Sequence, residues 1–312
     1  MRGVATEIPE LDELLASDFE LPPLLARIVQ RGRNRNNPSD IPAAALLNLD
    51  FQLPAAALSR MGVDETVPGE ANPDSGCDAS WIRFDPVEFV PDLTAVWLRR
   101  PLQIDFSTPE HAALRSELAE MFEAEGLTWW CPDRTPGFGL LCLREPAQSS
   151  FHPLHRVAGA RLDEVLPSGD DEMRWRRLVN ESQMIFHQHW QGSSGAGLWF
   201  WGNGSLPSGR SDSPSLAIHG EGAAAELVGL QKWLGDSGSR RHWDLVRWPL
   251  DSPDPAASLA RLESDWLANA WRDLRRGRLR RLVVGSATRQ LELGPLDAWA
   301  VWRRRSPGGR AR

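Results

Sequence analysis

The sequence predicts an α/β protein, and three observations predict it. Short runs rich in aromatic or β-branched residues recur, among them Trp81–Phe84, Leu198–Trp201 and Arg280–Gly285. Segments with helical apolar spacing separate them, and clusters of Gly, Pro, Asp and Ser divide the two kinds. A chain of 312 residues has room for one large domain or two smaller ones, each with a real core.

Taken in order, residues 8–32 read as helical in two pieces, with Leu11, Leu14 and Leu15 at helical spacing in the first. Pro22 starts a second helix whose Leu24, Leu25, Ile28 and Val29 share a face until Arg31 and Gly32 stop it. Residues 32–40 read as a loop, 41–60 as a short helix and 64–79 as a second loop. Trp81–Phe84 reads as a strand ended by Asp85-Pro86, and Ala95–Leu98 as another. Ser107 is placed to cap a helix, with Pro109 in its first turn and Glu110 at the positive end of its dipole. That helix carries Leu114, Leu118, Met121 and Phe122 on one face and ends at Gly126. Leu127–Trp130 and Gly139–Leu143 are expected to pair, and residues 144–170 to be mostly loop.

Asp170 or Asp171 then caps a helix over 172–189, followed by the Leu198–Trp201 strand and a loop over 202–215. A helix near 222–235, a strand around Leu245–Trp248 and a long helix over 256–276 come next. Arg280–Gly285 and Ala298–Arg303 close the fold as strands, and no internal repeat is visible.

Composition narrows the function classes. The net charge of −7 argues against nucleic-acid binding through the overall field. Two basic stretches stand apart from it: Arg272, Arg275, Arg276, Arg278, Arg280 and Arg281, and the tail Arg303, Arg304, Arg305, Arg310 and Arg312. These read as a solvated helix face and a frayed terminus, or as contacts for an anionic partner. Cys77, Cys131 and Cys142 show no CxxC spacing, so neither a disulfide framework nor a zinc site is expected, and a reducing compartment fits. The N-terminus lacks the apolar core of a signal peptide, and no apolar run reaches the roughly 18–20 residues of a membrane span. A cytoplasmic protein with no membrane role is expected.

Candidate chemistry concentrates in Trp175–Pro207. His187 and His189 are metal-like, but i and i+2 on a helix point about 200° apart. They can share a metal only if the helix has ended, and the other reading places them at a helix C-terminus where positive charge is favoured. Asn180, Glu181 and Gln183 interrupt the apolar positions Leu178, Val179, Met184, Ile185 and Phe186. They could form a polar network tying helix to sheet, or a ligand or partner site. Gly202-Asn203-Gly204 could cradle an anion with backbone N–H groups or make a tight turn, and no Walker lysine follows it. Trp199 and Trp201 suit core packing or ligand stacking, and His152 and His155 are a further candidate pair in a Pro-containing loop.

Three ordered pieces carry a family resemblance. They are Trp81-Ile82-Arg83-Phe84-Asp85-Pro86-Val87, the Leu166-Pro167-x-Gly169 turn with Trp175–Met184, and Leu198-Trp199-Phe200-Trp201-Gly202-Asn203-Gly204-x-Leu206-Pro207 with the Trp302-Arg303-Arg304 ending. The chain resembles the RpfE-type regulatory proteins of proteobacteria. More distantly it is similar to the archaeal-type cofactor-independent phosphoglycerate mutases of the alkaline phosphatase superfamily.

The resemblance implies a reduced alkaline-phosphatase-like α/β core with a smaller inserted α+β region. Residues 1–80 would be the N-terminal helical part of the core, 81–165 the insertion and 166–312 the C-terminal core, packed as one compact unit. That superfamily uses two metals held by Asp and His around a Ser or Thr nucleophile. Here Ser286 and Ala287 stand at the late Asp-His position, and neither can replace those ligands. The implied function is therefore a non-catalytic regulatory protein without metal or cofactor, acting through a protein partner or small ligand. Its candidate pocket comprises Asn180, Glu181, Gln183, His187, His189, Trp199, Trp201, Gly202 and Gly204. The alternative is a mutase- or phosphatase-type metalloenzyme with ligands drawn from His152, His155, His187 and His189.

Overall fold

Among the described residues the strands form two six-stranded sheets and one short two-stranded sheet. The computed structural model describes residues 2–35, 46–47, 53–63, 80–130, 137–190, 195–206, 214–219, 224–235, 241–250, 254–286 and 288–299. The expected α/β class is what the structure shows. The chain divides into two compact units. One takes Met1–Gln52, Gly209–Leu227 and Gln231–Arg312, and the other takes Leu53–Ser208 and Val228–Leu230. This division differs from the three-part segmentation read from the sequence, since Leu53–Ser208 spans all of its insertion and parts of both flanking segments.

The first unit opens with β1 (Arg2–Glu7), α1 (Leu11–Ala16), α2 (Pro23–Arg31) and β2 (Arg33–Arg35). The second follows with α3 (Ala55–Gly62), β3 (Ser80–Pro91), β4 (Val96–Pro101), α4 (Ala112–Ala124), β5 (Thr128–Trp130) and β6 (Gly139–Leu143). It continues with β7 (Ser149–Ser150), α5 (Leu154–Val157), β8 (Ala160–Arg161), α6 (Leu162–Val165), β9 (Ser168–Gly169), α7 (Glu172–His189) and β10 (Ala196–Gly204). The chain then runs through β11 (Ser215–His219), α8 (Ala225–Leu234), β12 (His242–Arg247), α9 (Pro255–Leu262), α10 (Ala268–Arg275), β13 (Arg281–Gly285), β14 (Gln290–Leu293) and α11 (Pro295–Trp299).

In the first unit the strand order is β11-β12-β1-β13-β14-β2. β11, β12, β1 and β13 are parallel neighbours, and β14 and β2 are antiparallel. Parallel strands are covered on both faces, which is why Leu245-Val246 and Leu282-Val283-Val284 are unbroken buried apolar runs. One face packs Val4, Val246, Leu282 and Val284 with Leu25, Ile28, Leu259, Leu262 and Leu274. The expected long helix over 256–276 forms as α9 and α10 with a π turn, Glu263–Leu267, between them. The Glu263 carboxylate accepts the N–H groups of Leu24 (2.8 Å) and Leu25 (3.0 Å), two of the free donors that open α2.

In the second unit β3 lies at the centre of β5-β6-β3-β4-β8, and β10 pairs with its other edge. Phe84 anchors an aromatic core, with Phe122, Trp129, Phe106 and Phe200 at ring-centroid distances of 5.3, 5.5, 6.2 and 6.2 Å. α7 forms over the residues expected and lies against β10 through Ser182. The hydroxyl of Ser182 donates to Val179 O (2.7 Å) and accepts Leu198 N–H (3.0 Å).

Several expectations are corrected. A strand, β1, precedes the first helix; it is short, and buried Thr6 and Glu7 break any apolar pattern. β3 does not stop at Asp85-Pro86 but runs to Pro91. Pro86 falls where β6 ends opposite Phe84 and β4 begins opposite Val87, so its missing N–H coincides with a change of partner. Ser107 does not cap a helix: its hydroxyl donates to Asp105 (2.6 Å), and a short 3₁₀ turn, Pro109–His111, leads into α4. Within 32–40, Arg33–Arg35 is strand β2, and the helix expected over 41–60 is described at its end, as Ala55–Gly62. Ala298 and Trp299 belong to α11 and not to a closing strand, and β14 takes that antiparallel role. The loop expected over 64–79 and residues 300–303 lie outside the described residues. Cys142 is disulfide-bonded, where no disulfide was expected.

The close approach of β6 to β3 at Gly139 yields a prediction. A Cβ there would run into the Phe84 ring and the Trp129 indole. Gly139→Ala should cost ~1–3 kcal/mol of stability in urea unfolding, and an unchanged midpoint would show that this core repacks freely.

Candidate functional site

α7 carries most of the residues singled out by sequence, and its helical spacing sorts them. Met173, Arg177, Asn180, Met184 and His187 are exposed along one side, while Trp175, Leu178, Val179, Ser182 and Phe186 are buried on the other. Met173 and Met184 are 71% and 64% exposed, which is unusual for two apolar residues on one stripe. Asn180, Gln183 and His187 line an open groove of about 410 Å³ together with Met184, Gln188, Gly195 and Ala196. Asn180 also borders a second groove of about 520 Å³ beside Glu125, Met173, Arg174, Arg176 and Arg177. The Nε2 of Gln183 is buried with no hydrogen-bond partner, an orphan donor at the groove wall. The helix–sheet tie expected of Asn180, Glu181 and Gln183 is made by Ser182 instead.

The other predicted residues go elsewhere. Glu181 faces Arg177 (3.6 Å), and Arg177 with Arg174 also holds Glu125. His189 Nε2 lies 2.8 Å from Glu117 Oε1. His187 and His189 both fall inside α7, so the ended-helix geometry needed to share a metal is not present. Asp171, at the N-cap position, takes hydrogen bonds from Ser149, the Gln148 N–H and the Trp175 indole. Burial alone would raise its carboxyl, but those bonds outweigh it and hold the group below the usual range.

Trp199 and Trp201 are core residues. Trp199 Nε1 donates to His152 O (2.9 Å), while the His155 ring lies 6.5 Å from that of Trp201. Trp201 Nε1 donates to Asp85 Oδ2 (2.5 Å), and Asp85 also holds Arg83 in a bidentate pair at 2.9 and 2.7 Å. The Arg83 guanidinium reaches the Ser59 hydroxyl (3.3 Å) and lies 4.1 Å from the Phe138 ring centroid and 5.0 Å from that of Trp201. Gly202 and Gly204 take left-handed φ values of +68° and +138° at a bulge in the β3–β10 ladder. A Cβ at Gly202 would sit 2.8 Å from Ala55 Cβ, so α3 fills the space an anion would need. The tight-turn reading is the one this geometry matches.

A second constellation, missed by the sequence reading, lies at the carboxyl end of the parallel strands in the first unit, where open α/β sheets commonly bind ligands. Glu7 ends β1 and is 6% exposed. Its Oε1 is 3.7 Å from Arg247 Nε, and its Oε2 is buried with no hydrogen-bond partner. Burial pushes the carboxyl up to about 7; Arg247 opposes the shift, and Glu226 and Glu10 add to it. Ser286, after β13, donates to Asp12 and accepts the N–H groups of Thr288 (3.3 Å) and Arg289 (3.1 Å). Thr288 Oγ1 also donates to Asp12, and Arg289 Nε lies 3.0 Å from it, so this carboxylate is committed to closing a loop. Ala287 lies outside the described residues. Only the buried charge at Glu7 could have signalled this edge, and that needs the strand to be recognised first.

No group of three or more His, Cys, Asp or Glu among the described residues is arranged to hold a metal ion. Among the same residues no helix is long and apolar enough to cross a membrane. No protein-family model matches the chain, and no curated protein matches it. Among solved structures it is similar to a cofactor-independent phosphoglycerate mutase from Thermoplasma acidophilum DSM 1728. That likeness has 14% identity and a TM-score of 0.38, over 94% of this chain and 89% of that one.

Two measurements test this geometry. Asp85→Ala takes the bidentate carboxylate from the largely buried Arg83 guanidinium and should cost ~3–5 kcal/mol in urea unfolding. A loss below about 1 kcal/mol would show that water replaces the carboxylate. For Glu7, the unfolded carboxyl titrates near 4.5 and the folded one near about 7. The folded state therefore holds the extra proton between those values, and Glu7's stabilising share, full below 4.5, is lost as pH rises through about 7. The swing is on the order of 3 kcal/mol at most. Glu7→Gln should flatten it and raise the melting temperature at about pH 8, and identical pH profiles would refute the assignment.

Proposed function

We propose that this chain is a non-catalytic regulatory protein of RpfE type, descended from a phosphoglycerate mutase-like enzyme, that acts by binding a protein partner or small ligand on the exposed side of α7. The family part of this reading rests on the three sequence motifs. The binding part is supported by one observation above all: Asn180, Gln183 and His187 share a groove with the exposed Met184. A thioether adapts its shape to a partner at little cost, and the unpaired Gln183 amide supplies a donor that a bound group would satisfy. An open surface of this kind suits a peptide-like partner better than an enclosed small molecule. The enzyme alternative would need ligands from His152, His155, His187 and His189. His189 is engaged with Glu117, and His187 is exposed on the groove.

Purified protein supplied with Mn²⁺ or Zn²⁺ should show no phosphoglycerate mutase or phosphatase turnover above background. Stoichiometric bound metal, with activity abolished by His187→Ala, would sink this reading. On the binding side, a photo-crosslinker placed at Met184 should trap one defined partner in the native cell, and Asn180→Arg should abolish that adduct. Crosslinking indifferent to Asn180→Arg would remove α7 from the function.

A further inference from the structure

A second surface, on the first unit and independent of the α7 reading, has the chemistry of a docking site. It lies where the C-terminal turns of α2 and α10 meet α11. Arg31 donates to Ala298 O (2.8 Å) and sits 5.8 Å from the Trp271 ring centroid. Arg275 stacks 4.1 Å from the Trp299 ring centroid, while Trp299 Nε1 donates to Arg275 O (3.3 Å). Arg27 is exposed near Arg31, and Arg276, next to Arg275 in the chain, is exposed too. Burial lowers the Arg31 pKa, and the neighbouring charges of Arg27 and Arg275 lower it further, so these cations crowd one another.

Arg31 and Arg275 lie in the last turns of their helices, where the dipole favours a cation. That effect explains one arginine per helix end. It does not explain Arg27 and Arg276, which have no ion pair among the described residues, in a chain whose net charge is −7. Nor does it explain the apolar side chains presented here: Leu296 is 83% exposed and Trp299 53%. Spaced i, i+3 on α11, they face the same way. A basic rim around an exposed apolar pair is the anatomy of a recognition surface.

We propose that this face docks an acidic protein segment carrying a large apolar residue between its carboxylates. The carboxylates pair with Arg27, Arg31, Arg275 and Arg276, for which the guanidinium fork is the matching shape. The apolar residue covers Leu296 and the free part of Trp299. A single-stranded nucleic acid fits less well. One face of the Trp299 ring is already occupied by Arg275, and Leu296 offers nothing for a base to stack on.

The test is fluorescence anisotropy of the full chain with three labelled probes: a decapeptide of glutamates with two central leucines, a decaglutamate, and a single-stranded DNA 15-mer. The glutamate–leucine peptide should bind most tightly and weaken several-fold between about 50 and 200 mM salt. Arg275→Glu with Arg276→Glu should weaken it at least ~tenfold, and Leu296→Ser should weaken it several-fold without changing any charge. Thermal melts confirm that each variant is folded, and Leu296→Ser carries the test if the charge reversal unfolds. Equal binding of both peptides, or indifference to Leu296→Ser, would overturn the apolar contact. Tighter binding of the DNA would overturn the choice of partner.

Discussion

The second unit depends on the ion pair between Arg83 and Asp85. Arg83 and Asp85 are two apart on β3, so both point to the same face, where Ser59 of α3 meets Arg83 and Trp201 of the paired strand β10 stands opposite it. Asp85 is 3% exposed and would be untenable without its partners. The Arg83 fork satisfies both of its oxygens, the Trp201 indole adds a third donor, and the guanidinium also reaches Ser59 and the ring of Phe138. Buried pairs are weak sources of stability but strict about geometry. This one fixes which way β10 lies on β3, since a one-residue slip would turn Trp201 to the opposite face. The indole N–H groups of the tryptophan-rich strand therefore serve its architecture.

The regular elements were legible in the sequence where local pattern and tertiary environment agree. α7 appeared at its true bounds because its apolar residues keep a strict helical period, and the face of α4 was read correctly for the same reason. β1 was hidden because a strand buried on both faces in a parallel sheet shows no alternation, and this one carries a threonine and a glutamate into the interior. β3 was cut short at Pro86 because proline is a breaker unless its missing N–H happens to fall between two partner strands, a fact that only the pairing reveals.

The candidate site was partly legible for a related reason. Asn180, Gln183 and His187 are three and four residues apart, so helical spacing alone brings them to one side. Trp199 and Trp201 looked equally chemical, yet their indole N–H groups are consumed by His152 and Asp85, and a sequence does not say which polar group has already found a partner. Glu7 was invisible for the converse reason. An ordinary glutamate becomes unusual only through what is stacked on either side of it, and Arg247 and Gly285 arrive from far along the chain.

The position of β1 also shapes how the protein must be made. Its two neighbours, β12 and β13, follow it by more than two hundred residues, with Arg2 opposite His242 and Gly3 opposite Arg281. A ribosome delivering residues in order exposes β1 long before its partners. Nearly all of the second unit, Leu53–Ser208, is contiguous and complete before either partner has been synthesised. During that interval β1 presents two unpaired edges, the condition under which strands find wrong partners. Its short length and its acidic, poorly apolar end are then protective, so the buried Glu7 that burdens the folded sheet also keeps the nascent strand from sticking.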